Sequence, residues 1–173
     1  MPHIVLVGLP GSGKSTVGPM IAERLSLGFV DLDERIERAA GRSVSQIFEQ
    51  EGEAGFRDRE LAATRELASE PGQVVAPGGG WITRPEAVAL VSPPGTLAWL
   101  KVSPERALER LGGGVASRPL LQGDPVARMR SLLLARGESY AKAGLVVDVE
   151  DLSPQQVTSA LLEAIGKLRR PAV

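Results

Sequence analysis

The stretch Gly8-Leu9-Pro10-Gly11-Ser12-Gly13-Lys14-Ser15 carries the spacing G-x-x-x-x-G-K-[ST]. It lies between an apolar run, Ile4-Val5-Leu6-Val7, and the residues Val17, Met20, Ile21 and Leu25, spaced for one face of a helix. Strand, glycine loop and helix form the context in which this motif cradles phosphates. Glycine lets the backbone curl until successive N–H groups face inward, and the following helix adds its positive end. In that arrangement Lys14 reaches the β- and γ-phosphates and the Ser15 hydroxyl ligates Mg²⁺. The motif specifies a nucleoside triphosphate and leaves the phosphoryl acceptor open.

Other residues suit an acceptor. Asp31-Leu32-Asp33 ends a short strand reading, and period-two alternation would project both carboxylates to one side. One could hold Mg²⁺ through a water, and the other could accept hydrogen bonds from hydroxyls and take a proton. The bland alternative is a strand-end carboxylate followed by Asp33 as a helix N-cap. A later strand runs into Ala76-Pro77-Gly78 and so lacks a terminal acid, which leaves Asp31 as the nearest candidate for the metal. Gly78-Gly79-Gly80 exceeds what a tight turn needs and allows a close approach to bare backbone. Arg57 and Glu60, three apart, are neighbours on one helix face, so a carboxylate can hold that guanidinium still. Arg136 precedes Tyr140 by one helical turn, and two converging arginines suit one carboxylate ligand. Arg118, in a glycine-rich stretch, is placed to close on a transferring phosphoryl group, and Arg110 to stack on a nucleobase. Trp81 either borders the pocket or belongs to the core; Trp99 and Tyr140 read as packing, and His3 as a strand-start residue.

Alternating strand and helix signals must position these groups. Strands are expected over 4–7, 28–31, 73–76, 96–102 and 145–149, with helices over 14–26, 34–40, 45–51, 53–69, 84–91, 104–111, 125–143 and beyond Ser153-Pro154. Gly41 suits a left-handed helix terminus, Gly52 separates two helices, and Thr83 and Ser103 suit N-caps. Pro19 should kink or loosen the first helix, and 112–119 should not form regular structure. The last helix should bury Val157, Leu161, Leu162, Ile165 and Leu168, and 169–173 should fray. The fold class is α/β, with a parallel sheet covered on both faces and its ligand site outside the carboxyl ends of the strands.

The set as a whole resembles the shikimate kinase family. It runs from Gly8 to Thr16 through Asp31-Leu32-Asp33, Gly41-Arg42-Ser43, Ile47-Phe48, Gly52-Glu53, Phe56-Arg57, Glu60 and Gly78-Gly79-Gly80 to Arg118-Pro119-Leu120-Leu121 and Arg136 with Tyr140. The resemblance implies a three-layer α/β/α P-loop kinase fold, adenylate-kinase-like, in one domain spanning 1–173. It implies a five-stranded parallel sheet, a flexible lid at about 112–124 and substrate-binding helices at about 33–61. It implies transfer of the ATP γ-phosphoryl to the 3-hydroxyl of shikimate with Mg²⁺. ATP would be held by Gly11, Ser12, Gly13, Lys14, Ser15, Thr16, Arg110 and Arg118, and the metal by Ser15 and Asp31. Shikimate would be held by Asp33, Arg57, Gly78, Gly79, Gly80 and Arg136, with Lys14, Asp33 and Arg118 catalytic. The chain departs from the family pattern in three places. Gly114-Val115-Ala116-Ser117 replaces an Asn-Thr pair in the lid, Glu150-Asp151-Leu152-Ser153 lacks an arginine before Pro154, and Pro19 is unusual in the first helix. Alternatives are a gluconate kinase or other P-loop kinase of a hydroxylated carboxylate, and a non-catalytic nucleotide-binding module.

Composition narrows the partners. A net charge of −1 gives no general pull toward nucleic acid, and no apolar run approaches the roughly 20 residues of a membrane span. The start, Met1-Pro2-His3, shows no basic leader, so a cytoplasmic location is expected, as is a monomer. The absence of cysteine excludes disulfides and thiolate chemistry. Only Lys14, Lys101, Lys142 and Lys167 are lysines among 20 basic residues, so a lone arginine carries little weight and a converging set more. With 13 prolines and neither Asn nor Cys, the chain avoids thermolabile residues. A thermal midpoint above about 60 °C is therefore expected, and scanning calorimetry showing a lower one removes this reading.

Overall fold

A computed structural model describes residues 2–115 and 118–168. Ala116 and Ser117 of the expected lid, and the 169–173 tail expected to fray, lie outside the described residues. Five strands, β1 (Ile4–Val7), β2 (Gly28–Asp31), β3 (Gln73–Ala76), β4 (Thr96–Lys101) and β5 (Leu145–Asp148), pair in parallel in the order β2-β3-β1-β4-β5. β1 is central and buried at every residue, as a strand covered on both faces must be. Its register sets Val5 beside Val75 and Leu97, and at the sheet edge Asp31 pairs with Ala76. All five carboxyl ends therefore open on one side.

Helices α1 (Lys14–Leu25), α2 (Leu32–Ala40), α3 (Val44–Ala68), α4 (Pro85–Val91), α5 (Pro104–Leu111), α6 (Pro125–Tyr140) and α7 (Pro154–Leu168) connect and cover the sheet. α1 packs with α7, α3 with α2 and α4, and α5 with α6. Ile4, Leu6, Ile21, Leu32, Leu100, Met129 and Leu161 are buried almost completely in the core they share. His3 sits just before β1: it is buried, and its Nδ1 accepts the Gln73 N–H at 3.2 Å.

Local chemistry accounts for most boundaries. Gly41 ends α2 at φ 62°, and Ser43 opens α3 with a capping box to Gln46. Gly52, at φ 70° and ψ −176°, breaks α3 into two helical segments in a conformation open to glycine. Glu51, just before the break, is gripped by Arg42 at 2.9 Å and by Arg59 at 2.7 and 2.8 Å. Phe48 and Phe56 then meet across the break with ring centroids 4.9 Å apart. Ser103 caps α5 and Ser153 bonds the Gln156 N–H at the start of α7, each before a proline in the first turn.

Several expectations are corrected. α1 runs on through Pro19, which sits on its exposed side, so the proline does not end the helix. Thr83 does not cap α4: its hydroxyl donates to the Gly80 carbonyl at 2.7 Å, and Arg84 takes the cap position without a side-chain bond. Trp81–Thr83, Gly112–Val115 and Pro119–Leu121 form short 3₁₀ turns, the second inside the stretch read as irregular and the third beginning at its last residue. A single i→i+3 bond per turn asks little of the intervening residues, so glycine and proline are tolerated there. α6 stops at Tyr140, β4 at Lys101 and β5 at Asp148, each shorter than expected. Leu168 is 55% exposed and Leu162 only partly buried, so the apolar face of α7 is Val157, Leu161 and Ile165, joined by Thr158.

Candidate active site

The loop from Gly8 to Gly13 turns at the carboxyl end of β1 through three glycines of positive φ, at 150°, 79° and 98°. A side chain at Gly11 would collide with the Ala107 carbonyl on α5, so the loop is fixed by shape as well as by torsion. Inside it the Lys14 ammonium donates to the carbonyls of Gly8 and Leu9 at 2.9 and 3.0 Å. Burial pulls its pKa down to about 8, against the opposing pull of Asp33. The Ser15 hydroxyl donates to Asp31 Oδ2 at 2.7 Å.

Asp31 and Asp33 reach the same cleft by a route other than strand alternation. β2 ends at Asp31, whose Oδ1 accepts the N–H groups of Asp33 and Glu34 and so caps α2. The cap is thus Asp31, and Asp33 stands free of capping in the first helical turn. Asp33 Oδ1 is fully covered and has no hydrogen-bond partner among the described residues. Burial and the neighbouring Asp31 raise its pKa to about 6, against Lys14, Arg118 and Arg57.

Arg57 is held from three directions. Its Nη1 meets Glu60 at 2.8 Å, its Nη2 meets Glu53 at 3.2 Å, and the guanidinium lies 5.3 Å from the Phe56 ring centre. Glu60 is 1% exposed, and its Oε1 is covered without a partner among the described residues. Burial lifts its pKa to about 7 in spite of Arg57. Arg136 is buried on α6, and no carboxylate pairs with it among the described residues.

The triple glycine has a packing reason beside the one expected. None of Gly78, Gly79 and Gly80 has positive φ. A Cβ on Gly78 would lie 3.1 Å from Glu60 Oε1 and 3.2 Å from Asp33 Oδ1. One on Gly79 would lie 3.0 Å from Arg136 Nη1, and one on Gly80 would overlap the Arg57 guanidinium. The protein's own charged groups occupy the room that side chains would need. Trp81 beside them is core: it is 2% exposed, and its Nε1–H donates to Thr64 Oγ1 at 3.0 Å.

Two cavities meet here. One, of about 670 Å³, is lined by the phosphate loop, Asp31, Asp33, Arg110 and Arg118 and extends to Leu152, Pro154 and Val157. The other, of about 320 Å³, is lined by Arg57, Arg136, Gly80, Phe48, Phe56 and Leu121. Asp33, Gly78, Gly79 and Arg118 belong to both. Every residue singled out for nucleotide, metal or acceptor thus faces one continuous cleft. Arg110 Nη2 donates to the carbonyls of Val149 and Glu150 at 2.5 and 3.1 Å, which holds its guanidinium at the far end of the larger cavity. Leu152, Pro154 and Val157 line the cavity there without an arginine of their own segment, and Arg106 and Arg110, which bond the Glu150 carbonyl, also line it. Sequence reading missed Leu152, Val157, Phe48 and Leu121 as lining residues, because an apolar pocket wall carries the same residue types as core.

Topology and phosphate loop together define a P-loop kinase fold with a second pocket for a small acceptor. A family model described as shikimate kinase matches residues 10–166. A shikimate kinase of Synechococcus sp. (strain CC9605) is 42% identical over 95% of this chain and 83% of its own length. One of Symbiobacterium thermophilum is 43% identical over 94% of this chain and 95% of its own. The structure of a shikimate kinase from Acinetobacter baumannii in complex with shikimate superposes with a TM-score of 0.93 at 35% identity, over 99% of this chain and 96% of that one. The chain belongs to the shikimate kinase family.

The buried acids should cost the fold stability. A carboxyl whose folded pKa exceeds its unfolded value holds its proton more tightly when folded. Stability therefore falls as pH rises from the usual carboxyl range through about 6 for Asp33. Asp33→Asn should raise the thermal midpoint of the ligand-free protein at pH 7.5, with a smaller gain at pH 5. A midpoint lowered at pH 7.5 would show that the charge is compensated.

Proposed function

We propose that the protein phosphorylates the 3-hydroxyl of shikimate with ATP, releasing ADP and shikimate 3-phosphate. The carrying observation is the junction of the two cavities at Asp33, Gly78, Gly79 and Arg118. In this reading the larger cavity takes ATP along Gly11, Ser12, Gly13, Lys14, Ser15 and Thr16, with the base toward Arg110 and Pro154. The smaller one takes shikimate, its carboxylate between Arg57 and Arg136 and its hydroxyls toward Asp33 and the glycine loop.

Asp33 then accepts the proton of the 3-hydroxyl as that oxygen bonds the γ-phosphorus and the bond to the β-phosphate oxygen breaks. A carboxyl with a pKa near 6 is ionised at neutral pH and basic enough to help. Transfer of this kind depends on positioning and charge stabilisation. Lys14, and Arg118 from the 112–124 lid, supply positive charge around the moving phosphoryl group. Glu60 keeps the Arg57 fork still between substrates.

The residues present fit Mg²⁺. The 2.7 Å bond between Ser15 and Asp31 sets one hydroxyl and one carboxylate at the phosphate loop, and no cluster of three acids or imidazoles exists among the described residues. Mg²⁺ characteristically takes one or two protein oxygens and completes its shell with water and phosphate. Ser15 would ligate it and Asp31 would hold it through a water; when bound it neutralises phosphate charge. One chain supplies both cavities, so the proposed reaction needs no residue from a partner, in keeping with the monomer expected. The net charge of −1 supports action without nucleic acid. No helix among the described residues is long and apolar enough to cross a membrane, and we place the reaction in the cytoplasm.

Incubated with Mg²⁺ and ATP, the protein should release ADP when shikimate is added and not when gluconate or AMP replaces it. ADP release that ignores shikimate rejects the proposal. Arg57→Ala should raise KM for shikimate by about tenfold or more, the scale of a lost charged hydrogen bond. Arg118→Ala should instead lower kcat by on the order of 10³-fold. An unchanged KM in the first, or unaltered turnover in the second, contradicts the assigned role.

A further inference from the structure

The three glycines that separate the cavities have no side chains with which to fix themselves, and glycine backbone is the costliest to order. Their carbonyls are therefore informative. Gly78 O accepts the Trp81 N–H at 3.0 Å. Gly80 O accepts the Thr83 N–H at 3.1 Å and the Thr83 hydroxyl at 2.7 Å. Both of these donors follow within three residues and come with the 3₁₀ turn itself. Gly79 O is held differently. It accepts the phenol O–H of Tyr140 at 2.7 Å, from the last residue of α6, 61 positions away.

Tyr140 is built to hold that bond. Its side chain is fully buried, and its ring stacks on Trp99 of β4 with centroids 5.6 Å apart and planes 19° from parallel. Burial also pushes its pKa upward, so the phenol keeps the proton it donates. One turn earlier on the same helix stands Arg136, whose Nη1 lies 3.0 Å from where a Gly79 Cβ would be. Helix α6 therefore grips Gly79 twice, by a hydrogen bond to its carbonyl and by a guanidinium against its α-carbon.

We propose that Tyr140 is a positioning residue for the acceptor. By holding the Gly79 carbonyl it fixes the plane of the Gly79–Gly80 peptide. The Gly80 N–H, which points opposite to that carbonyl in a trans peptide, is thereby turned away from Tyr140 and toward the acceptor cavity that Gly80 lines. The same bond ties the glycine loop to α6, so that Arg136 and the loop present themselves to one ligand as a unit. Tyr140 lines neither cavity and acts through the Gly79 carbonyl and through the contact of its hydroxyl with the Arg136 side chain. The proposal rests on shikimate as the acceptor.

Tyr140→Phe tests it, since phenylalanine keeps the ring and the stack and removes only the hydroxyl, with its bond to Gly79 and its contact with Arg136. KM for shikimate should rise about tenfold, the scale of a buried carbonyl left unpaired, while KM for ATP stays within about twofold. Equal rises for both substrates, or a lowered thermal midpoint with both KM values unchanged, would make Tyr140 a packing residue and overturn the proposal. Wild-type protein that ignores shikimate would instead defeat the functional reading, so the two failures are distinguishable. A second measurement does not depend on the variant folding. Tyr140 is the only tyrosine in the chain, so growth on 3-fluorotyrosine labels this position alone. Its ¹⁹F resonance should shift when shikimate is added and stay in place with ADP alone. A resonance indifferent to shikimate overturns the proposal.

Discussion

The arrangement depends on a shortage of space around Gly78, Gly79 and Gly80. Asp33 and Glu60 face the first of these, Arg136 the second and Arg57 the third, each close enough that a methyl group would press on it or overlap it. Four charged side chains from α2, α3 and α6 can converge on the end of β3 because the chain gives up its own side chains there. Of these four, Asp33 lines both cavities, Arg57 and Arg136 line the smaller one, and Glu60 stands behind Arg57.

The same convergence explains the electrostatics. Opposite charges are close, yet none is fully neutralised. Glu60 and Asp33 each keep one covered oxygen without a partner among the described residues, and both are pushed toward neutral pH. Lys14 is pulled down to about 8 by the same burial. Buried charge of this kind costs the fold stability, a cost common at catalytic centres. The Ser15–Asp31 bond and the Arg57–Glu60 pair keep the geometry.

Much of this was legible in the sequence because it rests on local rules. The phosphate loop announces itself through spacing and context, Gly41 and Gly52 through the torsions that glycine permits, and Arg57 with Glu60 through helical periodicity. The failures occur where a tertiary partner decides. Thr83 reads as a cap, yet its hydroxyl bonds the Gly80 carbonyl, and Asp31 takes the cap offered to Asp33 because α2 begins at Leu32, directly after β2, and not at Glu34. The Tyr140 hydroxyl finds its acceptor 61 residues away, a distance that no periodicity reports. The apolar walls of both cavities were invisible for a simpler reason, since leucine and phenylalanine look alike facing a core or a ligand.

The central claim is that the nucleotide cradle and the acceptor clamp serve one transfer across a shared boundary. The direct test is a crystal structure with shikimate, Mg²⁺ and an unreactive ATP analogue bound together. The shikimate carboxylate should lie between Arg57 and Arg136, its 3-hydroxyl against Asp33, and that oxygen about 3 to 3.5 Å from the γ-phosphorus. Shikimate bound outside the smaller cavity, or seated there with its 3-hydroxyl turned away from the phosphate loop, would contradict it.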